Sequence, residues 1–154
     1  MALFTGVHVN KLDKKGRVSV PATFRAALSG LSFPGVYAYP ARVASAVECC
    51  GVDWMEKLNE RIGMLSPHDA DGRAFATSIF AQSHQLPFDP EGRITLPPDL
   101  TRHAAIDGQV AFVGIGQTFQ IWEPQAFKAY METALRQAPR QAGQFGFGQG
   151  GGGA

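Results

Sequence analysis

Charge of either sign is scarce in this chain. Only 18% of the 154 residues are Asp, Glu, Lys or Arg, and fourteen basic side chains against thirteen acidic ones leave a formal net charge of +1. That total argues against a uniformly basic nucleic-acid-coating protein, although a sum does not say where the cations sit. Cysteine is nearly lacking as well. The two present, Cys49 and Cys50, are neighbours, so they build no disulfide framework, and a bond between them would be strained. Without a Cys-x-x-Cys or Cys/His ligand spacing they read as reduced strand residues of a cytoplasmic protein. Long apolar runs are absent too: nothing approaches the ~18 residues of a membrane span. The N-terminus, MALFTGVHVNKLDKKGR, lacks the continuous apolar segment of a signal peptide. No membrane partner is expected.

Hydrophobic residues supply 45% of the chain, enough for the packed interior of one domain or of two small units sharing a core. Residues 142–154, AGQFGFGQGGGGA, hold seven of the 18 glycines and no charge. Such a stretch buries too little surface to offset its ordering entropy, so a flexible tail over 141–154 is expected, with the folded part ending near Arg140.

The most informative feature is an internal repeat. Residues 12–25 read LDKKGRVSVPATFR and residues 88–101 read FDPEGRITLPPDLT. At a constant offset of 76, Asp13/Asp89, Gly16/Gly92, Arg17/Arg93 and Pro21/Pro97 are identical, Val18/Ile94, Ser19/Thr95 and Val20/Leu96 agree in type, and His8/His84 fall in register. Each copy reads as one local program. Asp-x-x-Gly is turn chemistry, with the Asp side chain bonding backbone two residues on and Gly supplying positive φ. Arg-Val-Ser-Val alternates as a short strand, Val18 and Val20 on one face, Arg17 and Ser19 on the other. Pro21 ends strand pairing and opens a helix carrying Phe24 and Leu28, as Leu100 and Ala104 do in the second copy.

Two more strands follow in each copy, near 35–39 and 43–50, then 109–114 and 118–122. A helix begins at Asp53, where Asp53 and Glu56 fit a capping box and Trp54, Leu58 and Ile62 form the apolar stripe. A further helix carries Phe75 and Ile79, and a last one starts at Pro124 with Phe127, Tyr130, Met131, Ala134 and Leu135 at helical spacing. The expected organisation is a first unit over 5–52, connecting helices over 53–80, a second unit over 81–124, a C-terminal helix over 125–140 and the tail. Neither unit makes a good core alone, so the two are expected to pack with interleaved strands.

Charge divides along the same boundary. Residues 1–42 hold Lys11, Lys14, Lys15, Arg17, Arg25 and Arg42 against Asp13 alone, net +5, and the remainder carries −4. Lys14-Lys15 in the first copy becomes Pro90-Glu91 in the second.

The block formed by Phe4, Gly6 and LDKKGRVSVPATFR, together with FDPEGRITLPPDL and VAFVGIGQTFQIWEP, resembles the MraZ family of bacterial transcriptional regulators over about residues 1–135. The resemblance implies an α+β fold of two tandem AbrB-like (SpoVT-AbrB) swapped-hairpin β units with flanking helices, sharing a pseudo-twofold barrel. It also implies ring-like homo-oligomers and binding of double-stranded DNA at promoter repeats of the division and cell-wall gene cluster, by a nucleoid-associated repressor. The second copy departs from the family's Pro-x-x-Leu-Arg, because Thr101 follows Leu100 and the arginine is displaced to Arg102. The Gly-rich tail also lies outside the family pattern.

Phosphate contacts need clustered cations, so the first copy is the expected DNA-contacting one, through Lys14, Lys15, Arg17, Arg25 and Asn10. The second copy is expected to serve structure and assembly. Taken alone, Lys14 and Lys15 read as solvated turn charges. Arg17 reads either as a bridge to Asp13 or as a fork for a guanine edge or phosphate. Asp13, Gly16, Asp89, Gly92 and Arg93 are expected to build the turns. Other chemistry finds little footing. Gly114-Ile115-Gly116 opens no helix, no P-loop pattern occurs, His8, His68, His84 and His103 have no metal-ligand spacing, and no cofactor is expected. The rival readings are an AbrB-like antitoxin or transition regulator coupled to a protein partner, a ring-forming scaffold without a DNA role, and a hydrolase built on Asp13 and Asp89.

Overall fold

The structure, a computed structural model, describes residues 2–146. Its framework follows the repeat. In the first copy β1 (Val7–Lys11) enters the Asp-x-x-Gly turn, β2 (Arg17–Ser19) leaves it, and α1 (Ala22–Leu28) starts behind Pro21. A hairpin of β3 (Gly35–Pro40) and β4 (Val47–Cys50) follows, then α2 (Val52–Gly63). After α3 (Ala70–Phe80) the order returns as β5 (His84–Pro87), β6 (Arg93–Thr95), α4 (Pro98–His103), β7 (Gln109–Gly114) and β8 (Phe119–Trp122). The chain up to Glu123 is one compact unit. α5 (Pro124–Ala142) and a 3-10 turn over Gly143–Phe145 belong to a second.

Six strands form an antiparallel sheet in the order β1-β7-β8-β4-β3-β5, and β2 and β6 form a separate two-stranded ribbon. Exchanging the copies (β1 with β5, β7 with β3, β8 with β4) leaves the order unchanged. Each copy's opening strand pairs with the other copy, β1 with β7 and β5 with β3. Register locates the pseudo-twofold axis. Val18 faces Ile94 in the ribbon and Glu48 faces Gln120 in the sheet, both pairs being equivalent positions of the two copies. The swap is fastened by Val20 N–H donating to Gly92 O at 3.1 Å and Leu96 N–H donating to Gly16 O at 2.8 Å. This is the expected α+β arrangement of interleaved units. Hydrogen bonding runs from β1 to β5 without closing the sheet on itself.

The core lies between the sheet's inner face and a roof of ribbon and short helices. Val36, Ala38, Val47, Cys49, Phe112, Phe119 and Ile121 meet Val18, Ile94, Phe24 and Leu100, all buried. Phe24 sits at the centre, its ring 5.2 Å from Phe4 and 4.9 Å from Phe119. Each large side chain so buried contributes about 1.5–3 kcal/mol. On the outer face of the β3–β4 hairpin, Tyr37, Tyr39 and Cys50 pack with Trp54, Met55 and Leu58 of α2 and Phe75 and Ile79 of α3. Adjacent cysteines therefore serve opposite faces of one strand. Burial pushes both thiols up, Cys50 to about 12, which keeps them protonated and inert near neutral pH.

Three local expectations change. β4 begins at Val47 rather than residue 43, because Ala41 N–H donates to Ala46 O at 2.9 Å and closes a loop between them. α2 is preceded by Gly51 as its N-cap, so Asp53 lies inside the first turn and caps nothing with its side chain. The side-chain cap appears instead on α3, where Asp69 Oδ1 accepts from Gly72 N–H at 3.0 Å. The C-terminal helix continues through Pro139 to Ala142, and of the expected tail residues 147–154 lie outside the described residues.

Candidate nucleic-acid interface

The Asp-x-x-Gly-Arg turns have the same geometry in both copies. Asp13 Oδ1 accepts from the backbone N–H of Lys15 at 3.0 Å and of Arg17 at 2.8 Å, while Oδ2 accepts from Arg17 Nε at 2.7 Å. Asp89 repeats this with Glu91 N–H at 2.9 Å, Arg93 N–H at 2.9 Å and Arg93 Nε at 2.8 Å. The bonds donated by the arginine's backbone, then by its side chain, hold each carboxyl below its ordinary 3.8. Both glycines take positive φ, +84° at Gly16 and +77° at Gly92. That conformation lets the chain reverse after two exposed residues.

What the copies display differs. The first turn holds out Lys14 and Lys15, and the second holds out Pro90 and Glu91, all exposed. Arg93 has a further carboxylate neighbour, Glu91 Oε1 at 3.6 Å from its NH2, and Asp89 raises its pKa. For Arg17, Nε is the guanidinium nitrogen with a partner among the described residues, and the half-buried side chain has no second carboxylate neighbour there. The hydrolase reading fails on this geometry: each Asp is already bound by three donors of its own turn.

Ribbon register adds residues that local sequence does not reveal. Arg17 lies opposite Thr95 and Ser19 opposite Arg93, with Val18 and Ile94 buried on the other face. Opposed residues of a ladder share a face, so Arg17, Ser19, Arg93 and Thr95 form one outward surface. Asn10 borders it, its Nδ2 donating to Ser19 O at 2.7 Å. Arg93 thus belongs to the turn, as expected, and also to the face that carries Arg17. Only the pairing of β2 with β6 discloses that, and the pairing joins segments 76 positions apart.

Arg25 goes elsewhere. Its Nε donates to Val20 O at 3.1 Å and the side chain lies over Gly92, where an added Cβ would meet that nitrogen at 2.8 Å. It therefore braces the second copy's turn and does not join the lysines of the first. Thr101 holds the equivalent place beside the first turn, lining a cavity of about 520 Å³ with Lys14, Lys15 and Asp107. The cavity beside Arg25 is about 300 Å³. Arg42 is also removed from the turn, its guanidinium standing 5.2 Å over the Phe75 ring. The histidines are separate: His84 Nε2 meets Asp99 Oδ2 at 2.9 Å and holds that carboxyl low, His103 Nε2 lies 3.2 Å from Ala44 O, and the His8 ring stands on Phe24. Among the described residues no group of three His, Cys, Asp or Glu could hold a metal, and no helix is long and apolar enough to cross a membrane.

Comparison with known proteins places this architecture. Residues 79–144 match the family model described as "MraZ protein, putative antitoxin-like". A protein of Pelagibacter ubique (strain HTCC1062) named transcriptional regulator MraZ is 48% identical over 136 residues, covering 88% of each chain. Relatives of the same name from Rickettsia bellii (strain OSU 85-389) and Rickettsia rickettsii (strain Sheila Smith) are 48% and 46% identical, covering 84% and 88% of this chain and 86% and 91% of their own. With the repeat, the swapped strands and this identity over most of both lengths, the chain belongs to the MraZ family.

Proposed function

We propose that the protein is a non-enzymatic, sequence-specific DNA-binding transcriptional regulator. In this reading it acts in the cytoplasm, on the nucleoid, as a repressor of the division and cell-wall gene cluster, and binds promoter repeats as a homo-oligomer. The reading is carried by one contrast: two turns of the same geometry present Lys14-Lys15 in one copy and Pro90-Glu91 in the other. The clamp from Asp13 to Arg17 holds the lysines at a fixed point beside the outward face of the ribbon. There they neutralise phosphates, while Arg17 offers its planar fork to a base edge or phosphate. One such contact is small, so specificity comes from several protomers on spaced repeats acting through effective concentration. Sequencing the DNA that the protein retains from its own genome tests the reading. Enrichment of short repeats in one promoter region is expected, and retention without sequence preference would refute it. A scaffold without a DNA role predicts no complex even at low salt, where counterion release favours binding most.

A further inference from the structure

We infer that Thr101 is a specificity-determining residue. It leaves the first turn without the brace that Arg25 gives the second, so the DNA-facing turn yields to variation among promoter repeats. The inference rests on the DNA-binding reading above and concerns the same turn.

Arg25 and Thr101 are equivalent positions, 76 apart, each the fourth residue of its helix. The backbone N–H of each donates to the proline that precedes its helix, to Pro21 O at 2.9 Å and Pro97 O at 3.2 Å. Phe24 and Leu100, the residues before them, are both buried, so the two helices sit alike on the core. Their side chains differ. Arg25 crosses to the other copy's turn, its Nε donating to Val20 O and its guanidinium lying against Gly92. Thr101 turns back on its own helix, its hydroxyl donating to Pro98 O at 3.1 Å. The three atoms nearest to a Cβ at Gly16 belong to Leu96 and Thr95, and none to Thr101.

Two neighbouring exchanges act in the same direction. Phe88 and Pro90 of the second copy correspond to Leu12 and Lys14 of the first, and the proline ring fixes a φ that lysine leaves free. The space between turn and helix is about 520 Å³ beside the first turn and about 300 Å³ beside the second. Both turns keep the same Asp clamp within themselves, so what differs is how firmly each is held to the body. Local opening costs least where few contacts oppose it. A turn beside an open cavity can shift as a unit and keep its lysines on the phosphates. On a repeat with a wrong base pair, that shift costs the opening of a brace where one exists and little where none does.

Amide hydrogen exchange and DNA competition on the full chain test this with Thr101→Arg, Thr101→Lys and Arg25→Thr. Arginine at 101 puts an Nε donor where the other copy has one, and lysine adds the same charge without it. Thr101→Arg is expected to slow exchange at the Lys15 and Arg17 amides by about fivefold, the worth of one hydrogen bond. Arg25→Thr should hasten exchange at Glu91 and Arg93. The second readout is the ratio of affinities for an enriched promoter repeat and for the same repeat with one base pair replaced. That ratio should rise by about fivefold in Thr101→Arg and stay at the wild-type value in Thr101→Lys. Unchanged exchange in either arginine exchange, or a ratio that does not move or moves equally with lysine, would overturn the role of Thr101. A wild type that forms no DNA complex at low salt would instead overturn the DNA-binding reading, with the exchange rates still reporting the brace.

Discussion

Val18 and Ile94 face each other across the β2–β6 ribbon, equivalent residues of the two copies meeting on the pseudo-twofold axis, each 1% exposed. Neither copy can bury its ribbon strand without the other, so the axis is where duplication becomes a shared core. Ile94→Ala is expected to lower unfolding free energy by about 2–5 kcal/mol, the range for truncating a buried Ile. Adding Val18→Ala should couple with it by about 0.5 kcal/mol or more, as for contacting residues. Denaturant titration of the four proteins measures both. Strictly additive losses would mean the pair does not share one packing site.

The two turn glycines differ in what surrounds them. A Cβ at Gly16 would lie 3.1 Å from the backbone oxygen of Leu96, which cannot move without opening the swap. At Gly92 it meets the Arg25 side chain, which can swing away. Both substitutions by Ala cost about 1–2 kcal/mol for the left-handed backbone alone. Combining Gly92→Ala with Arg25→Ala should recover part of the loss, and combining Gly16→Ala with Arg25→Ala should recover none. Thermal unfolding of the set decides it, and equal recovery in both would contradict the placement of Arg25.

Acid sensitivity should trace to the two turn carboxylates. Asp13 and Asp89 are held below 3.8 when folded, chiefly by bonds from the arginines' backbone N–H groups. A depressed folded pKa gives stability that is complete above the unfolded pKa and is lost as pH falls through the folded value. The midpoint of urea unfolding should therefore decline below about pH 4 more steeply in the wild type than in the Asp13→Asn, Asp89→Asn double variant. Parallel profiles would mean these carboxylates do not couple folding to pH.

The repeat was legible because D-x-x-G-R is local chemistry, complete within five residues and identical in the two copies. The short strand that leaves each turn and the α1 and α4 starts at proline were legible for the same reason, whereas β1 and β5 were not marked as strands. Sequence alternation correctly put Arg17 and Ser19 opposite Val18. It did not put Arg93 and Thr95 beside them, because that depends on pairing between segments 76 positions apart. Sequence marks Arg25 as a helix-borne candidate for a phosphate contact, and it does not reveal that α1 carries the side chain over the other copy's turn. The α2 cap was misassigned because Asp53 and Glu56 fit a capping box although the helix begins a residue earlier, after Gly51. Adjacent cysteines, unusual in sequence, became ordinary once two layers were seen to pack on opposite faces of β4.

The first turn, and not its geometric twin, is the one proposed to meet DNA. The most direct test is a gel-shift salt series on the retained promoter DNA with three folded proteins: wild type, Lys14→Ala with Lys15→Ala, and Glu91→Ala. The lysine variant should bind much more weakly, and its log–log salt slope should be shallower by about 2 for each contacting protomer, at about 0.9 per phosphate lost. Glu91→Ala should leave the slope unchanged. A lysine variant with wild-type affinity and slope would contradict the assignment.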